Sequence, residues 1–315
     1  MITITQQGEY TTIQDQGRWG YQAYGMPVSG AMDRYSSQVA NILVGNSPEA
    51  ALVEMTAAGA AFKFDEEQLV AVCGANMQGE IDGRPVENWS AFVVPRHSEL
   101  RFSTALSGYR AYLAVRGGID VPTVLGSKST CPRAKVGGYE GRTLRQGDVL
   151  YVGQAIVSPA KPYWLHPQYI PHYSEEVVLR MILGPQDNMF TTEVVDAFFS
   201  SVYKVTQQAD RIIYGLKGPR VKPIGKADIV SDAMCQGAIQ IIANGTPVIM
   251  TADHQTTGGF AKLGSVIWAD LPFLAQAKPG DAITFACVEE QVAIDALQIE
   301  SNQYHEIVNL AHTKK

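Results

Sequence analysis

The chain has 315 residues, 46% of them hydrophobic and 18% charged, with a formal net charge of −6. That length and apolar content can bury a large core and suit two domains, whereas the acidic balance excludes a general nucleic-acid-binding surface, which needs a Lys/Arg excess to displace counterions. No window approaches the roughly 18 consecutive apolar residues of a membrane span, and the start, Met1-Ile2-Thr3-Ile4-Thr5-Gln6, lacks the basic and apolar regions of a secretion signal, so a cytoplasmic protein with no membrane partner is expected.

The first informative segment runs from Thr11 to Asp33. Its opening, Thr11-Thr12-Ile13-Gln14-Asp15-Gln16-Gly17-Arg18-Trp19-Gly20-Tyr21, puts an amide, a carboxylate, a guanidinium and glycines within a few positions. Such a set suits a loop that holds a small polar ligand through backbone N–H groups, an acid and a bidentate arginine. The segment ends Ser29-Gly30-Ala31-Met32-Asp33 and leads into a helix expected over Asp33–Val44, where Tyr35, Val39, Ile42 and Leu43 recur at helical spacing. Ser29 or Asp33 can cap that helix and Gly45 can close it. Unpaired N–H groups at the helix start favour an anion, which gives Ser29 and Gly30 a binding role. A purely structural reading stands beside this one, with Asp15 and Arg18 as an ion pair, Ser29 or Asp33 as a cap only, and the glycines as turn residues.

Short runs of β-branched and aromatic residues bounded by turn residues follow at Leu69–Gly74, Ala91–Pro95 and Tyr109–Val115, with an Asp82-Gly83 hairpin turn within Ile81–Val86. They read as strands of a mainly-β fold with a few short helices. The stretch from Arg116-Gly117-Gly118 to Gly141-Arg142 is dense enough in glycine and hydroxyls to cradle phosphates through backbone N–H groups. It lacks the Walker spacing around Gly126-Ser127-Lys128, and tight turns between strands explain each glycine taken singly. Cys73, Cys131, Cys235 and Cys287 never form C-x-x-C, so free thiols are expected. Cys131 alone lies beside cations that could lower its pKa.

A proline-rich stretch, with Pro159, Pro162, Pro167 and Pro171, blocks both helix and central strand and reads as a linker over 158–174. It separates an N-terminal β domain, 1–157, from a second β domain, 175–288, with a C-terminal helix and tail over 289–315. Within the second half a helix is expected at Thr192–Ser200 and strands at Ala238–Ile242 and Pro247–Met250. The last of these leads into the second informative segment, Asp253-His254-Gln255-Thr256-Thr257-Gly258-Gly259-Phe260-Ala261-Lys262. So many donor and acceptor types beside a flexible turn suit a catalytic or ligand-clamping loop, and a solvated hairpin is the structural alternative. Asp253 is the better acid or base, since His254 shows no orienting partner. No metal-site spacing and no G-x-S-x-G elbow occur, so acid/base and electrostatic chemistry without a metal is expected.

In chain order, Thr11–Tyr21 with Ser29–Asp33, Ala40–Asn46, Glu54-Met55-Thr56, Cys73-Gly74-Ala75, Tyr112–Thr130, Gly137–Asp148, Leu183-Gly184-Pro185, Asp210-Arg211, Gly237–Gln240 and Asp253–Phe260 resemble the biotin-dependent carboxyltransferase-like family over nearly the whole chain. That family includes the C-type subunit of ATP-dependent 5-oxoprolinase, the antagonist of a sporulation-kinase inhibitor, and part of the carboxyltransferase region of urea carboxylase. The chain departs from the family pattern at Ala209, at Ile212-Ile213, at Ala233 in Ser231-Asp232-Ala233, and at Ala243-Asn244-Gly245.

The resemblance implies two domains with cyclophilin-like β-barrel character. It also implies a 5-oxoprolinase subunit that opens 5-oxo-L-proline to L-glutamate, with ATP and Mg as cofactors and no activity without its partners. Those partners would be a related-fold protein, of the B type in 5-oxoprolinase or of the kinase-inhibitor type, and an A-type subunit. Asp253, Asp15 and Lys262 are then the catalytic candidates. Gln14, Arg18, Ser29, Gly30, Asp33, Asn76, Arg116, Arg211, Gln240, Gln255 and Thr256 are the ligand-binding ones. Two alternatives remain open. One is a non-catalytic regulator that sequesters a histidine-kinase inhibitor; the other is a carboxyltransferase module that uses biotin carried on another polypeptide.

Overall fold

Alternation decides the architecture. In strands that repeat every second residue, one parity faces a core and the other faces whatever crosses the opposite side. The computed structural model describes residues 1–155 and 163–313 and divides into two compact units. One comprises Met1–Trp19, Ser29–Tyr173 and Ser301–Lys315, the other Gly20–Val28 and Ser174–Glu300.

The first unit is built on two sheets. A seven-stranded sheet runs Ile119–Asp120, Val149–Val152, Ile2–Gln6, Ala61–Phe64, Glu99–Arg101, Glu80–Ile81, Arg84–Pro85. A six-stranded sheet runs Tyr163–Trp164, Ser90–Val94, Gln68–Asn76, Ser107–Val115, Leu52–Thr56, Tyr10–Gln14. Ile13, Val53, Met55, Val72 and Leu113 of the second sheet meet Ile2, Ile4, Phe62, Phe64 and Leu150 of the first in one core. Each fully buried aliphatic side chain there contributes about 1.5–3 kcal/mol. The expected hairpin is present, with Asp82 and Gly83 both at positive φ (47° and 80°) as a two-residue type I′ turn requires.

The opposite parity of the six-stranded sheet faces helix α1, Arg34–Leu43, whose Val39, Ala40 and Leu43 pack with Ala71, Tyr112 and Ala114. Asp33 caps it, accepting from Ser36 N at 2.9 Å, and Gly45 closes it with its N–H on Ile42 O at 3.0 Å. Of the expected linker, residues 158–162 lie outside the described ones. Beyond them, Tyr163–Trp164 pair with Ser90–Ala91, and Leu165 and Tyr169 are buried in the core beneath α1.

The second unit is a closed seven-stranded barrel, the β-barrel character expected of this chain. Its order is Glu176–Leu183, Lys262–Val266, Ala238–Ile241, Pro247–Met250, Ile213–Lys217, Tyr203–Val205, Ala282–Cys287, the last closing in parallel on the first. Helix α2, Thr192–Phe199, is capped by Thr191 and stacks Phe198 on Phe285 at 4.7 Å between centroids. Helix α3 spans Leu271–Gln276. A separate two-stranded ribbon joins Asp228–Ala233 to Thr257–Phe260, and the latter strand continues through Ala261 into the barrel strand Lys262–Val266. Helix α4, Glu290–Thr313, starts in this unit, and its residues from Ser301 onward count with the first, where Ile307 is buried. Cys73 and Cys131 are buried in the first unit, whereas Cys235 and Cys287 are exposed on the second. No described helix is long and apolar enough to cross a membrane.

Candidate functional site

In the first unit the α1-facing parity is polar where the segment Ser29–Asp33 crosses it. Register sets Thr12 opposite Glu54 and Glu54 opposite Tyr112, all buried. The crossing segment is fastened rung by rung. Ala31 N donates to Asp15 O at 2.9 Å, Met32 N to Glu54 Oε2 at 2.8 Å, and Asp33 N to Tyr112 Oη at 2.7 Å. Burial pushes the Tyr112 phenol well above its ordinary range, and the Glu54 and Asp33 charges add to it, so the group stays neutral. Asp33 accepts from Ser36 N, Ser36 Oγ and Tyr173 Oη. It therefore serves as cap and network centre.

Asp15 lies at the end of the same edge. Its carboxylate accepts from Gly17 N at 2.8 Å, Ser127 Oγ at 2.7 Å, Lys128 N at 2.5 Å and Ser129 Oγ at 2.5 Å. Three of these donors converge on Oδ1 and one reaches Oδ2. Arg18, fully buried, donates to Val124 O at 3.1 Å and Ser129 O at 2.8 Å. Together they clamp the 124–130 loop. Two polar atoms beside this clamp are buried without a hydrogen-bond partner among the described residues, Gln14 Oε1 and Ser29 Oγ. Ser29 also holds φ at 58°, which a non-glycine side chain resists. Gly30 packs on Gly17, where a Cβ would stand 2.9 Å from Gly17 N. Asn76 ends its strand exposed and accepts from Gln78 N. Arg116 lines a separate recess of about 350 Å³ with Phe64, Glu66 and Gln68.

The glycine-rich stretch borders a cavity of about 630 Å³ lined by Asp120, Val121, Lys135, Tyr139, Glu140 and Tyr151 among others. Its glycines are spent on chain packing. A Cβ at Gly137 would fall 2.1 Å from Ser129 O, and one at Gly141 2.3 Å from the Lys135 carbonyl carbon. Both acids of the lining have a cationic neighbour, Asp120 in Lys128 at 3.8 Å and Glu140 in Arg142 at 2.9 Å.

In the second unit the ribbon delivers a different arrangement. Lys262, at the start of its barrel strand and 5% exposed, donates from Nζ to Asp232 Oδ2 at 2.5 Å and to Ala233 O at 3.0 Å. Asp232, on the ribbon, is 47% exposed, and the Lys262 ammonium holds its carboxyl below the usual range. Gln186 bridges the two residues, accepting from Lys262 N at 3.1 Å and donating to Asp232 Oδ2 at 3.3 Å. Gln240 is the direct cross-strand partner of Lys262 and donates to Phe260 O at 3.1 Å. Its amide lies under Gly258, where a Cβ would stand 2.5 Å from Nε2.

Asp253 is engaged elsewhere. Arg211 grips it in a buried fork, Nε to Oδ2 at 2.9 Å and Nη2 to Oδ1 at 3.0 Å. Thr256 O accepts from Met234 N, and Gln255 O pairs with His254 Nδ1 at 2.7 Å. Burial pushes the His254 imidazole below its ordinary value, against the opposing pull of the Gln255 carbonyl and the Asp253 charge.

Among the expected residues, the structure thus gathers Gln14, Asp15, Arg18, Ser29, Gly30 and Asp33 in the first unit. In the second it sets Lys262 beside Gln240 and Asp253 beside Arg211. Asp232, Gln186, Glu54, Tyr112, Ser127 and Ser129 were not among the expected site residues. Gln186 follows the Leu183-Gly184-Pro185 motif closely, and Asp232 sits in the triplet that departs from the family pattern. Among the described residues no group of three or more His, Cys, Asp or Glu is placed to hold a metal.

A family model described as the carboxyltransferase domain, subdomain A and B, matches residues 24–287. The chain is 32% identical over 316 residues to the C-type subunit of 5-oxoprolinase from Escherichia coli (strain K12), covering 100% of both chains. It is 36% identical over 314 residues to urea amidolyase of Lachancea kluyveri, covering 92% of this chain and 17% of that one. Among solved structures, Kluyveromyces lactis urea carboxylase superposes with a TM-score of 0.91 at 30% identity, over 97% of this chain and 29% of that one.

Proposed function

The chain belongs to the carboxyltransferase domain family, subdomains A and B, and from that membership we propose that it is the C-type subunit of an ATP-dependent 5-oxoprolinase. With partner subunits it would open 5-oxo-L-proline to L-glutamate. The match to the Escherichia coli 5-oxoprolinase protein over the full length of both chains supports this reading. The observation that carries it is the buried Lys262 ammonium held against the half-exposed Asp232 carboxylate.

A lactam is locked cis, so its ring N–H and its carbonyl oxygen lie on the same side. An ammonium and a carboxylate side by side complement that edge. Lys262 donates to the carbonyl oxygen and Asp232 accepts from the ring N–H, each such charge-assisted bond contributing about 1.5–3 kcal/mol. Lys262 also stabilises charge that develops on the oxygen as the amide is activated. Gln186 ties the Lys262 backbone to the Asp232 carboxylate, accepting from the one and donating to the other. The ATP of the reaction is assigned to a partner subunit.

Urea presents the same syn N–H and carbonyl edge, and the superposition on urea carboxylase favours a carboxyltransferase as the second reading. Biotin would then come from another polypeptide. One reconstitution separates the two. Purified with its partner subunits, the protein should release glutamate and ADP from 5-oxoproline and leave urea unchanged; ADP release no higher than background defeats the 5-oxoprolinase reading.

A further inference from the structure

The second unit carries a cationic face that the Lys262 cluster does not use. Residues 217–226 connect the barrel to the ribbon and hold Lys217, Arg220, Lys222 and Lys226 with no acidic residue among them, in a chain of net charge −6. All four are exposed. Register adds a fifth cation, since Lys204 stands directly opposite Lys217 on the neighbouring strand. Like charges in that position oppose the fold. Arg220 bonds to Asn244 Oδ1 and Thr246 Oγ1, both neutral, so its charge stays uncompensated.

The loop is nevertheless fixed. Val221 is buried with its N–H on Gly245 O at 2.9 Å, Ile224 N donates to Met189 O at 2.6 Å, and Ala227 O accepts from Ala261 N at 2.9 Å. The cations therefore radiate from an ordered backbone, which lowers the entropy cost of binding. Two exposed aliphatic side chains lie close in sequence, Ile224 within the loop at 60% and Val230 just past it at 92% exposure. Val230 lies on the ribbon strand Asp228–Ala233, which has one strand neighbour among the described residues and so presents a free edge.

We propose that this face docks a partner subunit through an acidic, aliphatic-bearing strand. The strand's main chain adds to the free ribbon edge, and its carboxylates meet Lys204, Lys217, Arg220, Lys222 and Lys226. The inference rests on the reading above that the chain works with partner subunits. A small anion is a poorer occupant, because these cations are dispersed and exposed and no buried donor is aimed among them. Asp228 is the one acid of the ribbon free to oppose the attraction, since Asp232 is held by Lys262.

The test is assembly of the full chain with its partner subunits, followed by titration at low and at physiological salt. The triple charge reversal Lys217→Glu, Lys222→Glu, Lys226→Glu should weaken assembly on the order of 100-fold and flatten its salt dependence, with a melting temperature no lower than that of the wild type, since the new carboxylate at position 217 would face Lys204. Lys204→Ala should raise the melting temperature slightly while weakening assembly, a split that a purely structural lysine does not produce. Val230→Pro should weaken assembly without altering the salt dependence. Wild-type assembly that these variants leave intact overturns the docking face alone; no wild-type assembly overturns the subunit reading as well. Unchanged assembly together with loss of binding to phosphatidylserine vesicles would assign the face to a lipid surface and overturn the proposal.

Discussion

Two polar clusters of similar composition do opposite things with their charges. Around Asp15 in the first unit, the buried carboxylate accepts four hydrogen bonds, three from the loop it holds and one from Gly17 N. Around Lys262 in the second, the ammonium is buried but its carboxylate partner stays half exposed. The lesson is that a dense run of polar residues is no guide to chemistry until its hydrogen bonds have been counted. An acid so engaged stabilises a fold, and one with an open side can meet a ligand.

The contrast is most exposed to failure at Lys262. Lys262→Met should cut turnover of the reconstituted enzyme on the order of 100- to 1,000-fold with little change in melting temperature or assembly. A large loss of stability with turnover per folded molecule intact would erase the distinction. Asp15→Ala should do the reverse, lowering unfolding free energy by about 3 kcal/mol in urea titration because it strands two buried serine hydroxyls and two backbone donors, while folded molecules keep their turnover.

A smaller effect sharpens the picture at His254. Its folded pKa is depressed, so its contribution to stability is present above the ordinary histidine value of 6.5 and is lost as pH falls through the folded pKa. Urea midpoints should therefore drop as pH falls below about 6.5, and His254→Gln should flatten part of that drop.

Local signals in the sequence carried far. The Gly45 closure and the Asp82-Gly83 turn could be read directly, and the cap was narrowed to Ser29 or Asp33, because each is decided within a few residues. The strand runs were legible for the same reason. Asp15 offered no such clue, since the donors that fill it, Ser127 and Ser129, are 112 and 114 residues away. Asp232 was missed because its pairing with Lys262 depends on the ribbon register across 30 residues. Thr12, Glu54 and Tyr112 alternate as any half-buried strand does, and the sequence does not mark which parity a crossing segment will cover. The glycines of 116–142 suggested phosphate binding, yet close backbone approach accounts for three of them, Gly117, Gly137 and Gly141.

The thiols are divided as unevenly as the charges. A thiol-reactive dye offered to the folded chain meets Cys235 and Cys287, both on the second unit, while Cys73 and Cys131 are sealed in the first. Burial also pushes the Cys73 thiol well above its ordinary value, away from the reactive thiolate. Labelling stoichiometry thus works as a clock for the first unit alone, with the two exposed sites taken up at once and the two buried ones only as fast as that unit opens.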